Sequence, residues 1–136
     1  MYITQEADYA VRIVHCLAKD GGRRDARSIS EEVFVTLRFS LKILGKLGAA
    51  GIVRSFKGNC GGYELARNPE KITLRDVLLA VEGPFAISRC IHDGDCSCGA
   101  HGSCSFQQVF HEISESVNAH LEKIDFRILM EKTKDG

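Results

Sequence analysis

Apolar residues in the first half of the chain recur at three- and four-residue steps, in blocks closed by glycine or proline. Ala10, Ile13, Val14 and Leu17 predict a first helix, opened by Thr4 as N-cap with Glu6 and Asp8 in its first turn and closed by Gly21-Gly22. Cys16 lies beside that stripe and reads as a buried structural thiol. Ile29 to Val33 predict a short second helix capped near Asp25 or Ser28, and Phe34 to Thr36 a turn. A third helix, Leu37 to Ala49, is expected to start at Thr36 and to pack through Leu37, Leu41, Leu44 and Gly48. The pattern then becomes β: Ile52 to Ser55 as a strand, Lys57 to Gly62 as a turn and Tyr63 to Leu65 as the returning strand. Thr73 and Asp76 form a capping box for a fourth helix, with Leu74, Val77, Leu78 and Val81 facing inward and Gly83-Pro84 ending it.

A final stripe, Phe106, Val109, Phe110, Ile113, Val117, Leu121, Ile124 and Ile128, keeps helical spacing over about six turns. Such a stripe needs a surface to cover it, either a second copy of the chain or its own domain. The fold class is therefore mostly α with a small β-hairpin wing. It divides into residues 1–84, a winged helix-turn-helix; residues 85–105, a cysteine-rich loop; and residues 106–136, a dimerisation helix and tail.

Charge changes this picture. The net charge is zero, but residues 1–71 carry twelve Lys and Arg against eight Asp and Glu, and residues 72–136 carry six against ten. Val33 to Tyr63 contains Arg38, Lys42, Lys46, Arg54 and Lys57 and no acidic residue. A field of one sign suits phosphates, and two short helices followed by a hairpin place it on a recognition helix and a wing. Thr36, Arg38, Phe39, Lys42, Lys46, Arg54 and Lys57 form the expected contact set for a double-stranded DNA operator. Glu6, Asp8 and Arg12 interrupt the region where a secretory leader needs an apolar run, and no run reaches membrane-spanning length, so a cytoplasmic protein with no membrane partner is expected.

In a reducing compartment, clustered thiols serve metal or redox chemistry more often than disulfides. Cys90, Cys96, Cys98 and Cys104 fall in one glycine-bearing stretch together with His92 and His101. Soft thiolates suit iron-sulfur clusters or zinc. No C-x-x-C pair, paired nucleophile and base or phosphate-cradling glycine loop accompanies them, which argues against an enzyme.

The Gly61-Gly62-Tyr63 of the wing, followed by Ile72 to Pro84 (ITLRDVLLAVEGP) and a cysteine loop, resembles the Rrf2 family of bacterial transcriptional regulators over nearly the whole chain. That family includes the iron-sulfur biogenesis regulator, nitric-oxide-responsive repressors and iron-responsive repressors. The resemblance implies a homodimer of winged helices on a near-palindromic operator, with the long last helix crossing to the partner. It also implies an iron-sulfur cluster on three cysteines spaced C-x5-C-x5-C. Here Cys90 and Cys96 satisfy one interval and Cys98 and Cys104 the other, so the loop is two residues longer than the pattern. Cys90 and Cys104 are the anchoring ligands, and the third, Cys96 or Cys98, stays open, with Cys96 keeping its spacing from Cys90.

For a fourth ligand, Gln107 stands where the biogenesis regulator has a histidine, and Asp8 matches an aspartate used by nitric-oxide-responsive relatives. The plain alternative for Asp8 is a carboxylate that stabilises the helix start. The rival readings of the loop are a structural zinc site on all four thiolates and a metal-free thiol switch. Three further departures from the family are Phe34 in the turn, Ser40 where a leucine commonly packs, and Lys57 near a customary wing arginine.

Overall fold

A computed structural model describes residues 2–87 and 104–135. The chain forms α1 (Gln5–Asp20), α2 (Ala26–Val33), α3 (Leu37–Ala49), β1 (Val53–Phe56) and β2 (Gly62–Leu65). A 3-10 turn (Pro69–Lys71), α4 (Leu74–Glu82), α5 (Ser105–Glu122) and α6 (Phe126–Asp135) follow. The helix starts sit where side chains can satisfy the orphan amides of a first turn. Thr4 accepts from the Ala7 amide at 3.1 Å, Asp25 from Ser28 at 3.2 Å and Thr36 from Phe39 at 3.2 Å. Thr73 and Asp76 complete the reciprocal box on α4. Of the two caps expected for α2, Asp25 is the one used, so the helix begins at Ala26. Phe34 ends α2 in the left-handed conformation, φ 58°, with its ring 88% exposed.

Ile13, Val14 and Leu17 of α1, Ile29 of α2, Ile43, Leu44 and Leu47 of α3, and Val77 of α4 meet in one core with Ile52, Ile72 and Phe126. Each such side chain contributes roughly 1.5–3 kcal/mol when fully buried. The α3 stripe expected from Leu37, Leu41, Leu44 and Gly48 is turned: the inward face is Ser40, Ile43, Leu44 and Leu47. Leu41 is left 43% exposed. The helix holds two apolar sets at helical spacing that share Leu44, and packing on α1 and α2 selects the set containing Ile43 and Leu47.

The unbroken last helix is also corrected. It stops at Lys123, and Asp125 pairs with Thr73 in an antiparallel bridge. The Leu74 amide donates to Ile124 O at 2.9 Å, and the Phe126 amide to Ile72 O at 3.0 Å. These long-range bonds take the place of the helical ladder, and the Asp125 carboxylate accepts from Ile128 N at 2.9 Å to restart it as α6. Phe126, off the predicted stripe, becomes fully buried, and α6 lies against α1.

The stripe itself divides. On α5, Phe106, Val109, Phe110 and Ile113 are 40–73% exposed. The buried residues of α5 are polar, while Val117 and Leu121 of the stripe are half-buried. Ser114 Oγ accepts from the Ile87 amide at 3.0 Å and donates to Phe110 O at 2.8 Å, and Asn118 Nδ2 donates to Phe85 O at 3.2 Å.

Candidate nucleic-acid interface and sensor segment

The exposed side of α3 presents Arg38 and Lys42 to solvent. Lys42 Nζ lies 5.5 Å from the centroid of the Phe39 ring, which meets Tyr9 of α1 edge-on at 5.6 Å. Phe39 therefore fixes the helix to α1 with its half-buried ring while shaping the surface beside Lys42. Thr36 is committed to the cap. Lys46 does not share the free basic face: its Nζ is 2.7 Å from Glu6 Oε1 of α1.

On the wing, Arg54 and Glu64 are directly opposed across the β1–β2 pair, with Nη2 to Oε1 at 3.5 Å, and Lys57 is exposed at the turn. The two glycines of the turn have separate causes. A Cβ on Gly61 would meet Phe56 O at 2.7 Å, and one on Gly62 would meet Arg24 O at 2.6 Å. The second approach exists because Arg24, in the loop joining α1 to α2, pairs with Tyr63 through backbone bonds of 2.9 and 2.7 Å. Arg23 stacks on the Phe56 ring, 3.5 Å from guanidinium carbon to centroid, and donates to Cys60 O at 2.8 Å. The wing is thus anchored to the α1–α2 loop. Neither arginine stands out by periodicity or charge counting; the signal in the sequence was the second glycine, which admits a neighbouring backbone.

The Arg24 side chain reaches Cys16 Sγ at 3.0 Å, Glu32 Oε1 at 3.1 Å, and Asp20. Burial, then the hydrogen bond with Glu32, pushes the Cys16 thiol up to about 12. Glu32 is held down at about 2, chiefly by its hydrogen bond with Cys16 and then by Arg24 and Lys19. Cys16, Asp20 and Glu32 place donor atoms within 4.8 Å of one another. The Arg24 guanidinium already occupies that cluster, and the Cys16 thiol is neutral near pH 7, so the group is a structural network joining α1 to α2. The expectation of a buried structural Cys16 agrees with this geometry.

Of the proposed ligands, Cys104 is the N-cap of α5, half-buried, with its side chain making no capping bond. The thiolate is the form in which a cysteine binds metals. Asp8 lies in the first turn of α1, 43% exposed, with Oδ2 2.6 Å from Arg12 Nη2. Cys90, Cys96 and Cys98 lie outside the described residues. Thr4 Oγ1 donates to Glu82, which ties the start of α1 to the end of α4 just ahead of the cysteine segment. Among the described residues, no helix is long and apolar enough to cross a membrane.

Comparison with known proteins accounts for this arrangement. Residues 3–132 match the family model described as Rrf2, Iron-dependent Transcriptional regulator. Protein aau3 of Rhizobium meliloti (strain 1021) is 32% identical, over 90% of this chain and 78% of its own. The HTH-type transcriptional regulator NsrR of Bacillus subtilis (strain 168) is 27% identical, over 99% and 94%. Among solved structures, CymR, the global cysteine regulator of B. subtilis, superposes with TM-score 0.76 at 23% identity, covering 97% of this chain and 98% of its own. T. potens IscR gives 0.75 at 21%, covering 98% and 88%. These two likenesses bear on the fold alone, and it is the winged helix described above. The chain belongs to the Rrf2 family, and it is a DNA-binding transcriptional regulator rather than an enzyme.

Proposed function

We propose that the chain is a homodimeric repressor whose operator affinity is set by an iron-sulfur cluster held in its cysteine segment. The supporting observation is the placement of Cys104 at the N-terminus of a helix whose outward face is apolar and uncovered. A thiolate ligand there ties any change in residues 88–103 directly to the element best suited to meet a second copy.

The donor set fits such a group: Cys104 at the N-terminus of α5, Cys90 with Cys96 or Cys98 as further soft ligands, and Asp8 as an oxygen donor once released from Arg12. When bound, the cluster supplies a centre that reacts with nitric oxide or oxidants, or is lost when iron is scarce. The protein does the rest. Movement at Cys104 passes into α5, and movement at Phe85 and Ile87 passes through Asn118 and Ser114 to the same helix. Asp8 belongs to α1, on which Phe39 of α3 is seated through Tyr9, so releasing Asp8 alters the footing of the recognition helix. Two copies related by a two-fold axis would place two α3 helices and two wings on a near-palindromic site, with Arg38, Lys42, Arg54 and Lys57 against phosphates and base edges.

The test is anaerobic purification followed by visible absorption, metal analysis and anisotropy on an operator selected from genomic fragments. A coloured protein containing iron and sulfide, with operator affinity that changes at least tenfold on exposure to nitric oxide or oxidant, is expected; that change corresponds to about 1.4 kcal/mol. A colourless protein with stoichiometric zinc, or equal affinity in both states, overturns the reading. Arg38→Ala and Lys42→Ala should each weaken binding. If the side chain meets phosphate, the salt slope should fall by roughly one unit for each phosphate neutralised by that side chain in each monomer.

A further inference from the structure

Arg38, Lys42 and Lys46 recur every fourth residue on α3, which in the sequence alone makes them equivalent. The structure separates the third. Lys46 Nζ is 2.7 Å from Glu6 Oε1 and 3.4 Å from the carbonyl oxygen of Val81, in the last turn of α4. The Glu6 side chain is only 19% exposed, its Oε1 is buried with no hydrogen-bond donor aligned on it among the described residues, and its counter-charge there is Lys46. Removing a cation from a carboxylate in that position leaves a buried charge uncompensated, which keeps Lys46 from swinging out to a phosphate. The C-terminal carbonyls of α4 add a second attraction for the ammonium.

Three helix ends meet at this point: the last turn of α3, the first turn of α1 and the last turn of α4. Thr4 closes the ring by donating to Glu82. Glu6 shares its turn with Asp8, and α4 runs through Pro84 into Phe85 and Ile87, the residues gripped by α5 ahead of the cysteine segment.

We infer that Lys46 is a positioning residue, not a DNA contact: it pins the end of the recognition helix to α1 and α4 and relays the state of the cysteine segment to α3. The pin follows from the distances above; the relay rests on the proposed sensing function. A displacement of either partner helix end stretches a charge interaction that weakens with separation, and the recognition helix loses or regains its fixed attitude accordingly.

The experiment is a double-mutant cycle of Lys46→Met, which keeps the buried alkyl stem, and Glu6→Gln. Operator affinity is measured over a salt series in cluster-loaded and cluster-free protein, and amide exchange of the α3 last turn is followed without DNA. The inference expects each single variant to shrink the loaded-to-free affinity ratio several-fold and the double variant to shrink it no further. It also expects an unchanged salt slope and faster exchange at residues 46–49 in both single variants. The inference is overturned if Lys46→Met lowers affinity equally in both states and reduces the salt slope while Glu6→Gln does neither, which is the pattern of a phosphate contact. If wild-type affinity is the same in both states, the sensing reading falls and the relay with it. The pin then stands if exchange quickens and the effects on affinity are non-additive, and falls if neither occurs.

Discussion

The winged-helix unit and α5 use the same amphipathic device in opposite senses. In α1, α3 and α4 the residues turned into the chain's own interior are Ile13, Ile43 and Val77, all fully buried. In α5 the buried residues are Ser114 and Asn118, which hold the backbone of Phe85 and Ile87, while Phe106 and Val109 stand in solvent. One region is finished by its own sequence. The other is an apolar face addressed to something else, and a second copy of the chain satisfies it in the proposed dimer.

The largest effect that can break this contrast is expected in the finished region. Phe126→Ala should lower stability by about 3–5 kcal/mol, because a fully buried ring is removed from the point where α6 meets the core. Urea unfolding followed by circular dichroism measures it, and a loss below about 1 kcal/mol would mean that α6 is only an appendage. Val109→Asp in the unfinished region should leave helix content intact yet raise the dimer dissociation constant about a hundredfold, by placing a charge in an apolar contact. Sedimentation equilibrium reads this directly, and an unaltered constant would place the interface elsewhere.

Smaller effects sharpen the comparison. The Ser40 hydroxyl is fully buried with no hydrogen-bond partner among the described residues, a flaw inside the finished region. Ser40→Ala should raise stability by about 1 kcal/mol, visible as a shifted urea midpoint at constant slope. The smallest effect concerns acid. Glu32 has a folded pKa of about 2 against an ordinary 4.5, so its contribution is complete above about pH 4.5 and drains away as pH falls toward 2. Glu32→Gln should flatten the stability profile across that window and leave it parallel to wild type near neutrality.

Local chemistry was legible in the sequence wherever a residue acts on its own neighbours. Thr4, Thr36 and the Thr73–Asp76 box open the helices they were expected to open, and the hairpin follows α3 as its pattern indicated. What could not be read was each choice settled by a distant partner. Leu41 and Leu47 both fit a helical stripe, and only packing on α1 and α2 decides between them. Ile124 and Ile128 continue a periodic pattern, but Ile72 and Leu74 capture the backbone between α5 and α6. Lys46 looks like Lys42 until Glu6 is beside it. Arg24 reveals its pairing with Tyr63 only through the glycine that makes room for it.

The bridge between Thr73 and Asp125 has a consequence for how the chain is made. Phe126 completes the core of the DNA-binding unit, yet it is encoded after the entire cysteine segment. When only the helix-turn-helix and wing have emerged from the ribosome, that core still lacks the Phe126 ring. Domains normally fold as units during synthesis. Here the order of synthesis means that all the cysteines have been made before Phe126 can take its place in the core that α3 shares.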